Sequence, residues 1–396
     1  MLLRMCKARE ACKMKDKLKI DSFRSSSKAE KEEVAQISKK VKDVGIDLER
    51  SGGKYLLVDS SVMARILDET YGESVVIRDI RDSSVEGDVR DLRWGILKRD
   101  LDDFTQLVSK ELSGGYYIRV KENTHVNNPV QTCLYVATEN LRQLVHNIIV
   151  LEPNTSLHII TGCTTGYRVT RGLHIGVSEF YLKEGSSLTY TMIHSWPTDF
   201  HTRPRTGILM EKNAKLVMNY ITLNPGSTIH TSPKIYCKGD GSSCLIQNII
   251  ASSTESHIDV GADVFLEGES TGAELRSRVA AFGPSITYAR GRIYGCGSGT
   301  KGHIECNGLI LHPGAKIRAV PELIAETTDT TLTHEAAVGK IADEEISYIM
   351  SRGFSRSDAV SLIVRGFMDV SSFNLPKITE RKVENLIKRI VESSFI

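Results

Sequence analysis

The 396-residue sequence has few aromatic side chains and lacks a long hydrophobic run. It contains 2 Trp, 13 Tyr and 10 Phe against 31 Gly, so we expect a core of aliphatic and small side chains. No apolar stretch approaches the roughly 20 residues that a membrane-spanning helix needs, which predicts a protein without a membrane span. The basic N-terminal stretch is not followed by an apolar segment, so we predict no secretory signal, a cytoplasmic location and reduced thiols.

An excess of one charge is also absent. The 51 Lys and Arg residues nearly balance the 49 Asp and Glu residues, for a formal net charge of +2. A nucleic-acid partner usually requires a strongly basic surface, so we expect none. The apolar share of 40% and the charged share of 25% are ordinary for a folded globular protein.

The motifs of several common sites are missing as well. None of the eight cysteines belongs to a C-x-x-C pair, which argues against a zinc knuckle. Gly339-Lys340 is followed by Ile341 rather than Ser or Thr, which excludes a P-loop there, and no G-x-S-x-G motif occurs. His334-Glu335 lacks the second histidine of a zinc-protease helix.

What the sequence does contain, from about residue 116 to 333, is a repeated turn pattern. An apolar residue is followed two or three positions later by Pro, Gly or Asn, and six positions later by another apolar residue. The first apolar residues of the six copies are Leu151, Leu182, Met210, Leu223, Ala280 and Leu311. Their spacing corresponds to a step of about 14.5 residues, and two steps suffice for one full coil. The pattern predicts a mainly β protein with a stacked β-helix core; a β-sandwich whose similar turns recur by chance is the alternative.

The two ends of the chain follow helical periodicity instead. Residues 29–44 carry an apolar stripe that predicts an amphipathic helix outside the main core. After Thr333 we predict three helices: one following Ala342, a second beginning at Ser355 with Asp358 in a capping-box position, and a third following Pro376. The sequence therefore divides into an N-terminal helical and mixed region (1–113), a β-helix core (114–333) and a C-terminal helical module (334–396).

Cys306, His334 and Glu335 form the strongest candidate for a chemical site. Alternation along a strand places Ile304 and Cys306 on one side, and His334 follows Cys306 by 28 residues, two steps of the repeat. We therefore expect Cys306 and His334 at equivalent places on successive coils, where strands lie about 4.8 Å apart. Thiolate, imidazole and carboxylate donors together suit a labile iron site. The plainer interpretation is a buried cysteine and a His-Glu pair that caps the following helix.

Several segments resemble the SufB/SufD family of iron–sulfur assembly proteins, especially its short, SufB-like archaeal member of the SmsB type. The matching segments are His174-Ile-Gly-Val-Ser-Glu-Phe180, Met192-Ile-His-Ser-Trp196, Arg203-Pro-Arg-Thr206, Thr333-His-Glu-Ala-Ala-Val-Gly-Lys-Ile341, and Ser351-Arg-Gly-Phe354 through Val364-Arg-Gly-Phe-Met368. The similarity is densest from about residue 170 to 370. The basic Arg203-Pro-Arg-Thr206 segment has two open interpretations, pairing with an acidic neighbour or a solvated turn.

The resemblance implies a right-handed parallel β-helix with helical ends that forms a homodimer through its core. It also implies a SufC-like ABC-type ATPase docked on the C-terminal helices. The scaffold cysteine of SufB corresponds to Cys306, its glutamate to Glu335, and the histidine shared with SufD to His334. The acid that precedes this histidine in SufB is Thr333 here, so the resemblance does not supply a third acidic ligand.

The function expected from the resemblance is a non-catalytic scaffold. Cys306, His334 and Glu335 from two chains would hold a transient iron–sulfur cluster, a nascent [4Fe-4S] cluster, at the dimer interface and pass it to apo-proteins. Two alternatives remain open at this point: a β-helical metal-dependent or carbohydrate-active enzyme, and a cluster-free SufD-like structural subunit. An enzyme predicts activity in a single chain, whereas a scaffold predicts co-purification with an ATPase.

Overall fold

A computed structural model describes residues 18–24, 34–49, 52–66, 71–252, 255–373, 375 and 377–394. The described part of the protein is mainly β and forms a β-solenoid of about eight turns with helices at both ends. This confirms the fold class expected from the repeat. Cys6, Cys12 and the first part of the predicted N-terminal helix, residues 29–33, lie outside the described residues.

The strands follow one another along the chain with short connections. They are β1 (Lys54–Val58), β2 (Ser61–Ile66), β3 (Val75–Asp79), β4 (Tyr116–Val120), β5 (Val130–Val136), β6 (Leu141–Leu151), β7 (Ser156–Thr165), β8 (Arg171–Leu182), β9 (Ser187–Trp196), β10 (Asp199–Thr202), β11 (Arg205–Met210), β12 (Lys215–Pro225), β13 (Thr228–Thr231), β14 (Lys234–Cys237), β15 (Ser243–Ser252), β16 (His257–Val260), β17 (Asp263–Leu266), β18 (Gly272–Ala281), β19 (Ile286–Gly295), β20 (Lys301–Ile310), β21 (Lys316–Ala325) and β22 (Thr331–Gly339).

The helices lie before and after this array, and two of them lie between β3 and β4. They are α1 (Val34–Val41), α2 (Glu86–Leu92), α3 (Asp103–Lys110), α4 (Asp343–Met350), α5 (Arg356–Phe367) and α6 (Lys377–Ser394). The three C-terminal helices confirm the sequence prediction. Ser355 caps α5 by accepting a hydrogen bond from the backbone N–H of Asp358, and Gly353 at φ 94° ends the preceding helical segment.

The strands form two long sheets that face each other across a common interior. The ten-stranded sheet has the order β2-β1-β5-β7-β9-β12-β15-β18-β20-β22. The twelve-stranded sheet has the order β10-β13-β16-β19-β17-β14-β11-β8-β6-β4-β3, with β21 paired to β19. Nearly all pairs are parallel; β1–β2 and β3–β4 are the antiparallel ones. Since β1 also pairs with β5, the sheets begin before residue 114.

The predicted turn pattern marks the corners between the sheets. One coil separates residues that hydrogen-bond across neighbouring strands, and these separations run from 27 residues for His201 and Thr228 to 31 for His174 and Gln143. This agrees with two steps of the repeat. Gly185 at a corner has φ 67°, and Asn154 and Asn213 at the corresponding corners have φ 55°. Gly and Asn tolerate this left-handed conformation, which explains why they recur there.

Apolar side chains fill the interior and two covered outer faces. The interior cluster extends from Tyr55 to Cys306. On the outer face of the ten-stranded sheet, Ile37 and Val41 of α1 pack in one cluster with Val360 and Val364 of α5. Helix α3 covers part of the other sheet. Among the described helices none is long and apolar enough to cross a membrane.

Candidate functional site

Cys306 lies in β20, the next-to-last strand of the ten-stranded sheet. Alternation along this strand directs Ile304 and Cys306 into the solenoid, as predicted, and both belong to the interior cluster. Only 2% of the Cys306 surface is exposed. Burial, together with the negative charge of Glu305, raises the pKa of the Cys306 thiol to about 11. The side chain is therefore a protonated thiol at neutral pH in the single chain.

His334 and Glu335 lie in the middle of β22, the last strand of the same sheet. In the register of β20 with β22, His334 pairs with Ile304, Glu335 with Glu305, and Ala336 with Cys306. His334 lies two residues before Ala336 on β22 and is therefore on the same inner face as Cys306. The Cα atoms of Cys306 and His334 are about 8 Å apart. Glu335 is on the outer face. The structure thus brings Cys306 and His334 together and directs Glu335 away from them.

Two expectations about this region were wrong in detail. The 28-residue spacing does not place Cys306 and His334 at equivalent positions, because the last coil has 30 residues. Its first turn, residues 311–315, is one residue longer than the corresponding turn 282–285 of the coil before. The His-Glu pair also does not cap a helix: β22 continues to Gly339, and the N-cap of α4 is Ala342, whose side chain makes no capping hydrogen bond.

This end of the solenoid is open. Among the strands that the structure describes, β22 pairs with β20 on one side and is the terminal strand of its sheet. His334 and Glu335 are exposed, and Val338, on the inner face of β22, is 41% exposed. An edge strand presents unpaired backbone N–H and C=O groups to which another strand can add. The buried thiol of Cys306 is thus one strand away from a surface that another chain can extend.

Within the described residues, no three His, Cys, Asp or Glu side chains are arranged so that they could hold a metal ion. On the outer face, Asn307 Nδ2 donates to Glu305 Oε1 at 2.6 Å, and Arg276 Nε lies 3.9 Å from Glu305 Oε2. Glu305 is thus engaged by neighbours on its own chain. On the inner face, Cys306 supplies a soft sulfur donor and His334 a borderline imidazole donor.

A second group of polar residues, which the sequence reasoning did not assign, fixes the segment before α3 to the solenoid. Glu179 is fully buried and accepts hydrogen bonds from the backbone N–H groups of Trp94, Ile96 and Leu97. Its Oε2 also lies 2.8 Å from His146 Nε2. The sequence offers one signal for this contact: the carboxylate of Glu179 lies between apolar residues in β8, and such a group is buried only with partners.

The basic segment Arg203-Pro-Arg-Thr206 pairs with an acid and is not a solvated turn. Arg205 Nε donates to Asp102 Oδ2 at 2.5 Å, and both arginines lie over the ring of Phe104. Asp102 is the N-cap of α3. His194 and Trp196, from another of the quoted segments, point into the interior beside His174. These segments are therefore structural and hold the coils and α3 together.

The C-terminal helices carry an exposed apolar surface. Tyr348 is 62% exposed, Phe354 48% and Leu362 47%, and Met350 at the end of α4 is 40% exposed. Arg352 lies 5.2 Å from the centre of the Tyr348 ring. An exposed apolar group of this kind, mixed with a basic side chain, is typical of a surface that binds another protein.

The sequence is similar to known proteins of one family. Residues 134–367 match the model of the SUF system FeS cluster assembly, SufBD core domain. An iron–sulfur cluster assembly SufBD family protein of Archaeoglobus fulgidus is 39% identical over 352 residues, which cover 88% of this chain and 94% of the relative. A SufBD family protein of Methanothermobacter thermautotrophicus (strain Winter) is 38% identical over 374 residues and 90% of each chain.

A more distant relative is the iron–sulfur cluster assembly protein SufB of Bacillus subtilis, which is 27% identical over 333 residues. The match covers 83% of this chain and 71% of the relative. The matched domain takes up more than half of the chain and includes Cys306, His334 and Glu335. The chain therefore belongs to the SufBD family of iron–sulfur cluster assembly proteins.

Proposed function

We propose that the chain is a cytoplasmic, non-catalytic scaffold on which a nascent [4Fe-4S] cluster is assembled between two copies and passed to apo-proteins. The observation that carries the proposal is the placement of Cys306 and His334 on one inner face at the open end of the solenoid. The cluster is the cargo of the protein and is bound transiently.

The number of donors supports assembly by two chains. A [4Fe-4S] cluster normally takes four protein ligands, and the inner face of one chain offers Cys306 and His334. A two-fold axis beside β22 would bring the same pair from a second copy to the same place. The unpaired edge of β22 is the surface through which the two solenoids join. The open end therefore serves both as the dimer interface and as the cluster site.

The donor chemistry suits a cluster that must leave again. The Cys306 thiol loses its proton when it binds iron, whereas in the empty single chain its raised pKa keeps it protonated and unreactive. Imidazole is a borderline ligand and carboxylate a hard one, so both exchange more readily than thiolate. Glu335 faces away from Cys306, and we assign it as a ligand that engages when the last strand moves.

The exposed apolar residues of α4 and α5 are the proposed docking surface for a SufC-like ABC-type ATPase. These helices follow β22 directly in the chain and pack on the outer face of its sheet. A movement imposed on them by nucleotide binding in the partner is transmitted over a short distance to the strand that carries His334 and Glu335. ATP-driven opening and closing of the cluster interface follows from this arrangement.

Replacing Cys306 tests the proposal. The Cys306→Ala variant should give no visible iron–sulfur absorption band after anaerobic reconstitution with iron and sulfide, because the thiolate donor is lost from both copies. Cys133→Ala, which removes a buried thiol from the opposite face of the sheet, should reconstitute like the parent. Circular dichroism should show an unchanged fold in both variants. A normal cluster in Cys306→Ala would contradict the ligand assignment.

A further inference from the structure

Three sulfur atoms meet inside the solenoid, well away from Cys306 in the sequence. Met210 and Cys237 end the neighbouring strands β11 and β14 and are paired in register, and Cys237 Sγ lies 3.8 Å from Met210 Sδ. Cys244 is the second residue of β15, on the other side of the turn formed by residues 238–242. We refer to Met210, Cys237 and Cys244 as the sulfur cluster.

The sulfur cluster is buried and surrounded by apolar groups. Met210 and Cys237 have no exposed surface, and Cys244 is 5% exposed. A hydrogen bond with Cys237, followed by burial, raises the pKa of the Cys244 thiol well above its usual value, which places the Cys244 thiol within hydrogen-bonding reach of Cys237 in the same buried cluster. The residues paired in register with the two cysteines are Leu216, Leu266 and Ala273, besides Met210 itself. These neighbours carry no charge.

This arrangement suits one class of ligand. Thiol, thiolate and thioether sulfurs are soft donors that select Cu(I) among the common metal ions. Three sulfurs bound to one ion at about 2.3 Å in a trigonal array stand about 4 Å apart, close to the observed contact of Met210 and Cys237. Zinc requires a fourth ligand in a tetrahedral site, and the register neighbours of the cysteines offer only hydrocarbon for that position.

The charge balance also favours a monovalent ion. When a monocation enters, one thiol releases its proton to solvent and binds as thiolate, while the second thiol and the thioether bind as neutral donors. The site then carries no net charge, which an apolar interior tolerates, whereas an unpaired charge would be costly there. The turn between the two cysteines has Lys238 and Asp240 exposed at the surface.

We propose that Met210, Cys237 and Cys244 bind one soft monovalent metal ion, with Cu(I) as the reference ligand, at a site separate from the cluster-assembly site. Its evidence is the contact of three buried sulfurs, which does not depend on the role of Cys306.

The test is a Cu(I) titration of the full chain under anaerobic conditions, in competition with a coloured Cu(I) chelator. All proteins carry Cys306→Ser, so that the assembly thiol does not contribute. We expect Cys237→Ser and Cys244→Ser each to lose one tightly bound equivalent relative to this parent, and Met210→Leu to bind that equivalent at least tenfold more weakly. Cys163→Ser, which removes a buried thiol of the same interior, should bind like the parent.

X-ray absorption of the one-equivalent complex should show three sulfur neighbours in the parent and two in Met210→Leu. A tight equivalent retained in either cysteine variant, or a copper ion bound by nitrogen or oxygen, would overturn the proposal. If a serine variant folds poorly, the comparison of Met210→Leu with the parent decides alone, since this substitution keeps the core apolar and of similar volume. Equal affinity and equal sulfur counts in these two proteins would also overturn it.

Discussion

At the scale of single residues, the Cys306 thiol is shielded from solvent but lies close to the open edge of its sheet. Its thiol is buried by its own chain, yet only β22 separates it from the open edge. The neighbouring carboxylate of Glu305 on the outer face adds to the rise in the Cys306 pKa. A thiolate is the reactive and metal-binding form of cysteine, so the proposed cluster ligand is held in its unreactive form in the single chain.

The raised pKa predicts slow alkylation of Cys306. At pH 8 a free cysteine of pKa near 8.5 is about one quarter thiolate, whereas a thiol of pKa about 11 is thiolate to roughly one part in a thousand. Iodoacetamide labelling of the Cys306 peptide, followed by mass spectrometry, should therefore be slow at pH 8 and accelerate up to about pH 11. Glu305→Gln removes the nearby negative charge and should increase the rate.

Glu274→Gln is the matched control for this measurement. Glu274 lies on the outer face of β18, where its carboxylate accepts a hydrogen bond from Arg276, and it is not among the causes of the Cys306 shift. Its substitution should leave the labelling rate unchanged. Equal rates for Glu305→Gln and the unsubstituted chain would show that burial alone sets the reactivity of Cys306.

At the scale of elements, the link between Glu179 and the segment before α3 holds the N-terminal region on the solenoid. One carboxylate accepts three backbone hydrogen bonds and contacts His146, and His146 Nδ1 lies 3.1 Å from Arg93 Nε. Arg93 donates to Nδ1, so the neutral imidazole donates from Nε2 to Glu179. Three of the five backbone N–H groups from Arg93 to Leu97 therefore depend on a single buried side chain.

Removing that side chain should be strongly destabilising. Glu179→Ala leaves three backbone N–H groups and His146 without their acceptor, and the loss of one partner from a buried charged network costs about 3–5 kcal/mol. We expect a decrease of this size in the free energy of unfolding measured with urea. Glu184→Ala changes an exposed carboxylate in the turn after the same strand and should cost less than about 0.5 kcal/mol. Similar losses for both variants would argue against a structural role for Glu179.

How far the sequence predicts these elements depends on how local their cause is. The corners are set by Pro, Gly and Asn at fixed distances from apolar residues, so the stacked coils could be predicted. The three C-terminal helices could be predicted from their own helical periodicity, which is also local. The exact register could not, because the coil length varies between 27 and 31 residues. The last coil has 30 residues, so His334 lies two positions from the residue opposite Cys306. The pairing of Glu179 with the backbone of residues 94–97 joins segments more than 80 residues apart and leaves no periodic signal.

At the scale of the whole molecule, buried histidines couple stability to pH. Burial is the main cause that lowers the pKa of His146 and His194, and it lowers that of His174 to about 4. Arg93 opposes a charge on His146 and Glu179 favours it; His174 opposes a charge on His194. The unfolded chain protonates these histidines near pH 6.5, whereas the folded chain keeps them neutral. Stability is therefore complete above about pH 6.5 and is lost as the pH falls below it.

Each such histidine should contribute about 1.4 kcal/mol per pH unit to this loss, until its own folded pKa is reached. Urea unfolding between pH 7.5 and 5 should show a free energy of unfolding that declines toward acid. His174→Gln should reduce the dependence of the free energy of unfolding on pH by about 1.4 kcal/mol per pH unit, because Gln does not titrate. His125→Gln, at an exposed position, should leave the slope unchanged. A pH-independent stability over this range would contradict the neutral state of the buried histidines.

In the proposed dimer the two chains join at the open end, so a charge placed there should weaken self-association and cluster assembly together. Val338 is 41% exposed on the inner face of β22, and an acid at this position would bury two like charges at a two-fold interface. We expect Val338→Asp to weaken self-association by about 100-fold in sedimentation experiments and to abolish cluster reconstitution although Cys306 and His334 are intact.

Val62→Asp tests whether that effect belongs to the open end. Val62 is 37% exposed on β2, the strand at the opposite edge of the same sheet, so an acid there should change neither association nor reconstitution. Both variants replace a partly exposed valine with aspartate, so they differ in where the charge is placed. A monomeric Val338→Asp chain that still assembled a full cluster would show that one chain provides all the donors, and the two-chain site would be wrong while the family assignment remained. Loss of the cluster in both variants would instead indicate a general effect of added charge on folding.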